Sequence, residues 1–124
     1  MPRYAFAAID SNEQRLRRSY AAFNARDIDA VLATTHPDVD WPDVPEGKRV
    51  QGHEALRAYW TAQFEAIDVN VEPVGFTRDD EGHVVVGVHQ VVRDLDGKVL
   101  FDQNVEHVYT LRDGLVTRMD LREG

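Results

Sequence analysis

From Val99 to Arg112 the sequence alternates between two sets of residues almost without a break, and no other feature restricts the fold as much. The odd positions read Val99, Phe101, Gln103, Val105, His107, Tyr109 and Leu111. The even positions read Leu100, Asp102, Asn104, Glu106, Val108, Thr110 and Arg112. Successive side chains of a strand point to opposite faces, so a period of two over this length predicts a long strand with one buried side. Gln103 and His107 fall on the buried side. A polar group taken out of water without a partner costs free energy, so a sheet carrying two of them is expected to curve around a cavity. A small-molecule pocket is the expectation, and the sequence leaves its occupant unnamed.

At 124 residues the chain is long enough to bury a core without staples, and one domain over residues 1–124 is expected. Hydrophobic residues make up 43% and charged residues 29%, the balance of a soluble globular protein. No apolar run approaches a membrane span, and the first ten residues are too weakly basic and too short in apolar length for a secretory signal. A cytoplasmic location without a membrane partner is therefore expected. The absence of cysteine removes disulfides, thiolate nucleophiles and Cys-based metal sites. A net charge of −8 argues against nucleic acid, whose phosphates require a basic face. The small basic cluster Arg15, Arg17 and Arg18 reads as a solvated helix face.

Along the chain, Ser11 followed by Gln14 has the spacing of a capping box, which predicts a helix beginning there with Leu16, Tyr20 and Phe23 on one face. Asp27 is placed to cap a short second helix through Ile28, Val31 and Leu32, ended at His36-Pro37. A short strand over 39–41 and a loop of turn formers from Pro42 to Gly47 follow. Gly52 precedes a third helix, His53–Ala66, with Leu56, Tyr59, Trp60 and Phe64 as its apolar stripe. Residues 69–77 read as extended, with a bulge or an edge near Pro73. Helices first and mostly antiparallel strands afterwards define an α+β protein, helices packed on one face of a curved sheet.

Three segments in this order resemble the nuclear transport factor 2-like superfamily, and within it the SnoaL-like small-molecule proteins. They are Arg26-Asp27-Ile28-Asp29-Ala30-Val31-Leu32; Asp38-Val39-Asp40-Trp41 with Gly52-His53-Glu54-Ala55-Leu56-Arg57-Ala58-Tyr59-Trp60; and Tyr109-Thr110-Leu111-Arg112-Asp113-Gly114-Leu115-Val116. The resemblance implies a cone-shaped α+β barrel of strongly curved sheet and helices around a pocket open at one end. Similar proteins include ketosteroid isomerases, polyketide cyclases, epoxide hydrolases and non-enzymatic association modules, and the fold does not decide among them. Against the isomerase pattern, Asp43 falls at the general base, Ser19 at the oxyanion-hole tyrosine with Tyr20 one position away, and His107 at the protonated aspartate. The late-strand aspartate of the epoxide hydrolases would fall near Leu121. The SnoaL-type acid/base aspartate on the last strand would correspond to Asp120.

The last hairpin decides where Asp120 points. A two-residue type I′ turn at Asp113-Gly114 pairs Arg112 with Leu115 and sets His107 opposite Asp120. A three-residue loop with a bulge shifts the register by one and turns Met119 and Leu121 inward. The apolar alternation of Leu115, Met119 and Leu121 favours the bulge, with Asp120 outside. Gln90 lies opposite Gln103 if the Asp96-Gly97 turn has two residues, whereas a three-residue turn brings His89 inward. The valines at 84, 86, 88 and 92 favour Gln90 inside.

Asp43, His107 and Tyr20 are therefore the candidate catalytic residues, with Trp41, Tyr59, Trp60, Gln90, Gln103, Tyr109 and Met119 lining the pocket. Histidine titrates near neutral pH, which suits His107 to proton transfer. Asp43 shares strand parity with Trp41, whose indole would raise the carboxyl pKa toward that of a general base. Aromatic walls suit a flat or hydrophobic ligand. His36, His53, His83 and His89 have no metal-ligand spacing, and no glycine-rich phosphate loop occurs, so neither metal nor cofactor is expected. The outward positions mix Leu100 and Val108 with Asn104, Glu106 and Thr110, a face suited to a homodimer. The expected function is cofactor-free acid/base chemistry on a hydrophobic carbonyl metabolite (isomerisation, cyclisation, hydration or dehydration). A ligand carrier, a sensor or an association module on the same fold is the alternative.

Overall fold

The computed structural model describes residues 3–123, with side chains from residue 11 onward. Three helices precede or interrupt six strands: α1 (Arg3–Asn24), α2 (Ile28–Leu32), β1 (Thr35–Asp43), β2 (Lys48–Gln51), α3 (His53–Ala66), β3 (Asp68–Arg78), β4 (Val84–Arg93), β5 (Val99–Arg112) and β6 (Leu115–Glu123). The strands form one sheet in the order β2-β1-β6-β5-β4-β3, antiparallel except for the β1–β6 pair. The class is α+β as expected, but the sheet is open: β2 and β3 are its two edges, so the cone does not close into a barrel. Among the described residues no helix is long and apolar enough to cross a membrane.

One face of the sheet carries the core. Leu16 and Tyr20 of α1, Val31 and Leu32 of α2, and Leu56 and Trp60 of α3 pack onto Val39, Val86, Val88, Val116 and Met119. Asp27 caps α2 as its sequence position predicts, its carboxylate accepting the Ala30 N–H at 3.2 Å. Helix α3 has the predicted bounds, following Gly52 at a positive φ of 87°. Asn24 ties α1 to β3 in both directions, its amide donating to the Val71 carbonyl at 2.7 Å and accepting the Val71 N–H at 2.9 Å. Arg15 donates to the Gly114 carbonyl at 2.7 Å, fastening α1 to the β5–β6 turn.

Several expectations are corrected. Helix α1 begins at Arg3, so Ser11 lies inside it and is not its first capping residue. The segment 42–47 is not all loop: β1 runs from Thr35 to Asp43, and only 44–47 turn before β2, which the sequence reading did not anticipate. Pro37 is tolerated within β1 because the β1–β6 register breaks between Thr35 and Asp40, where a missing N–H costs no ladder bond. The bulge near Pro73 is present, as a register shift between Pro73 and Gly75.

Both long hairpins reach the expected side-chain directions by unexpected routes. Asp113-Gly114 is a two-residue turn with both residues at positive φ (54° and 79°), and Arg112 pairs with Leu115. The shift comes later, between Thr110 and Leu111, so that His107 faces Leu121 while Tyr109 faces Met119. Asp120 consequently stays outside and no His107–Asp120 dyad forms. In the β4–β5 hairpin the turn has three residues, closed by the Asp94 N–H on the Lys98 carbonyl at 2.9 Å. A second irregularity between Val92 and Arg93 restores the register, and Gln90 pairs with Gln103 after all.

Candidate functional site

Between the sheet and the helices lies a cavity of about 590 Å³. Its deep end is formed by Tyr20 of α1, His107 and Tyr109 of β5, and Met119 of β6, all buried. Its mouth is marked by lining residues that are themselves exposed: Val44 after β1, Phe101 of β5 and Leu121 of β6. Trp41 and Trp60 meet edge to face at 5.3 Å and make one wall. Every residue named above as pocket-lining (Trp41, Tyr59, Trp60, Gln90, Gln103, Tyr109 and Met119) does border this space, as do Tyr20 and His107.

The deep end holds a chain of hydrogen bonds. The Tyr109 hydroxyl donates to the Tyr20 hydroxyl at 2.7 Å, and Tyr20 Oη lies 2.8 Å from His107 Nδ1. With Tyr109 already donating to it, the Tyr20 hydroxyl can complete the chain by giving its own proton to Nδ1. The imidazole then carries its hydrogen on Nε2, which has no protein partner among the described residues and is left to the cavity. No polar side-chain atom that is fully buried among the described residues lacks a partner, so Nε2 is accessible from the cavity that His107 lines.

Burial pushes the His107 pKa down to about 4, so the ring is neutral at neutral pH. This differs from the expectation of a group titrating near neutrality: burial is the cause, and among the described residues no carboxylate holds a proton on the ring. Burial likewise raises both phenols above their ordinary values, Tyr20 also through the neighbouring Tyr109. The three side chains thus form an uncharged donor chain, able to offer an N–H to a carbonyl oxygen but not to serve as a buried cation.

Asp43 is buried at the end of β1, between cavity-lining Pro42 and Val44. It is not itself part of the cavity wall. Its Oδ1 accepts the Glu46 N–H at 3.3 Å, steadying the 44–47 turn. Its charge reaches Tyr59, whose hydroxyl pKa is raised first by burial and then by that carboxylate. Asp43 therefore stands beside the mouth, near Tyr59 and outside the cavity wall. Ser19, at the position matched to the isomerase tyrosine, also borders the cavity, but it is Tyr20 that reaches His107.

The sequence reading passed over Gln63, Ile67, Phe101 and Leu121 as lining residues. Each was within reach of the pattern. Gln63 follows Tyr59 by one helical turn, and Phe101 and Leu121 share strand parity with Gln103 and Met119. Asp120 sits on the opposite face, bonded to Arg118 at 2.8 Å and to Arg49 at 3.2 Å, which hold its carboxyl below the usual range. Among the described residues no group of three or more His, Asp or Glu side chains is arranged to hold a metal.

The matches to known proteins follow this architecture. Residues 16–119 match the model of the SnoaL-like domain, and the chain belongs to that family. No curated protein matches the sequence. Among solved structures, TerC co-crystallised with polyporic acid is 28% identical, with a TM-score of 0.79 over 92% of each chain. An NTF2-like protein of unknown function from Burkholderia pseudomallei is 27% identical, with a TM-score of 0.78 over 92% of this chain and 91% of its own. A putative polyketide cyclase from Sinorhizobium meliloti is 25% identical, with a TM-score of 0.74 over 88% and 94%.

Proposed function

We propose that the protein binds an uncharged, hydrophobic carbonyl compound and acts on it by side-chain acid/base chemistry: isomerisation, cyclisation, hydration or dehydration. The observation that carries this reading is the buried chain Tyr109–Tyr20–His107, which ends in a ring nitrogen, Nε2, at the deep end of a mostly apolar cavity. An apolar pocket with a few convergent polar groups is the usual form of a small-molecule site. None of the cavity-lining residues is Asp, Glu, Lys or Arg, which disfavours phosphates, ammonium groups and other fixed charges. The similarity to TerC, co-crystallised with polyporic acid, and to a putative polyketide cyclase supports a small organic ligand.

In this reading His107 Nε2–H donates to the carbonyl oxygen. As negative charge grows there, the donor is already oriented by Tyr20 and Tyr109, so no reorganisation is required. Asp43 is the base, taking a proton from the carbon next to the carbonyl once its side chain leaves the Glu46 N–H and turns past Tyr59. The same engagement with Glu46 favours a second reading, a carrier that binds the ligand without changing it.

A neutral aromatic ketone with acidic α-hydrogens separates the two. With 2-tetralone in D₂O, the catalytic reading expects saturable binding and accelerated deuterium uptake next to the carbonyl, followed by NMR. Asp43→Asn should abolish the acceleration while leaving binding and stability nearly intact, because asparagine can still accept the Glu46 N–H. His107→Phe should cost about 10²–10³ in rate, the usual loss for one such donor. Binding without exchange in the unaltered protein would establish the carrier instead.

A further inference from the structure

Along β5 the cavity wall is polar at two places and apolar between them. At the deep end His107 offers its unpartnered N–H. Four residues earlier on the same strand stands Gln103, registered against Gln90 of β4. Both glutamines border the cavity, and neither amide has a protein partner among the described residues. No register shift interrupts β5 against β4 between these points. Four residues at about 3.3–3.4 Å each separate the two polar places by about 13 Å. Between them β4 and β5 present only Val88 and Val105 on the inner face, and Trp41 and Trp60 also line the cavity.

We propose that the site selects an elongated, uncharged ligand with a carbonyl at its inner end and a hydroxyl at its outer end, the hydroxyl held by the Gln90–Gln103 pair. The chemistry at each end differs. His107 has only a donor to give, which selects an acceptor such as a ketone oxygen. Two side-by-side carboxamides offer both N–H donors and carbonyl acceptors, which matches a group that donates and accepts at once. A ligand with one polar end forgoes the contact either with the N–H at the bottom or with the paired amides at the rim. This inference rests on the proposed carbonyl-binding reading and adds a specificity device to it.

The test compares two probes on the unaltered protein and on the double variant Gln90→Leu/Gln103→Leu, by fluorescence titration or calorimetry. The probes are 4-acetylbiphenyl and 4-acetyl-4′-hydroxybiphenyl, which differ only in the outer hydroxyl. The hydroxylated probe should bind about fivefold to tenfold more tightly, the gain of one or two neutral hydrogen bonds. In the double variant that preference should vanish while the affinity for 4-acetylbiphenyl stays within about twofold, the size expected for an exposed rim position. His107→Phe should weaken both probes by the same factor and keep the preference. An absent preference in the unaltered protein, or one that survives in the double variant, overturns the two-ended ligand. Failure of both probes to bind at all would instead remove the carbonyl-binding reading beneath it.

Discussion

The two faces of the sheet handle polarity in opposite ways. On the inner face, Tyr109, Tyr20 and His107 form a neutral chain, each member buried and uncharged at neutral pH. On the outer face, Asp40, Arg49, Asp120 and Arg118 close a ring of ion pairs at 2.7–3.2 Å across β1, β2 and β6. The ring is partly open to water, which screens it and lowers what it contributes. An equivalent ring inside would pay the desolvation of four charges. The contrast shows why the cavity is equipped with a donor and not a cation. Any charge that develops in it must belong to the ligand, and a preoriented neutral N–H is the least costly way to meet that charge.

Placing a charge on the inner face is the strongest way to break the contrast. Val86 is fully buried and pairs with His107 across β4 and β5. Val86→Asp should destabilise the protein by more than about 4 kcal/mol, because no cation is there to compensate it. Chemical denaturation, or loss of soluble folded protein, checks this; a folded variant of near-normal stability would refute the claim that the inner face excludes charge. A milder version of the same experiment uses acid. His107 has a folded pKa of about 4 against an ordinary 6.5. Between those values the unfolded chain holds the extra proton, so stability present above pH 6.5 falls as the pH drops and is lost through pH 4. The full contribution is about 3 kcal/mol. Subtracting the unfolding free energies of His107→Phe from those of the unaltered protein, pH by pH, should isolate this slope; a flat difference would mean the ring is not buried as a neutral base.

How much of this was legible in the sequence depended on whether local or distant residues decided it. The bounds of α3, the Asp27 cap and the inward direction of His107 followed from neighbours within a few positions. The bulge after Thr110 did not, because Asp113-Gly114 makes an acceptable two-residue turn by itself and only the core demands Met119 inside. Strand β2 was hidden for a related reason. Its four residues stand beyond a cluster of turn formers, and pairing with β1 is what makes them a strand. The electrostatics were the least legible. A histidine on an inward position can be tuned upward by a carboxylate or downward by burial, and the absence of a facing carboxylate is a fact of packing. The sequence offers Tyr20 as a catalytic candidate beside the matched position; its place in the middle of the hydrogen-bond chain requires α1 and β5 together.

That middle position gives the next expected effect in size. Tyr20→Phe removes the partner of His107 Nδ1 and the acceptor for Tyr109 at once, leaving those two buried atoms only their own long contact of 3.5 Å. The cost should be about 1–3 kcal/mol in stability. Carbonyl binding should weaken as well, since Nδ1 can then take the hydrogen and turn an acceptor toward the ligand; unchanged ketone affinity in this variant would show that the chain does not set the tautomer. On the outer face the same kind of deletion should matter far less. Arg118 bonds Asp120 and Asp40 from a half-exposed position, and Arg49 remains to pair with both after its removal. Arg118→Gln should therefore cost under about 1 kcal/mol, and that difference should shrink further in high salt. A salt-insensitive loss as large as that of Tyr20→Phe would mean that the outer ring is as desolvated as the inner chain, and that the two faces do not differ in kind.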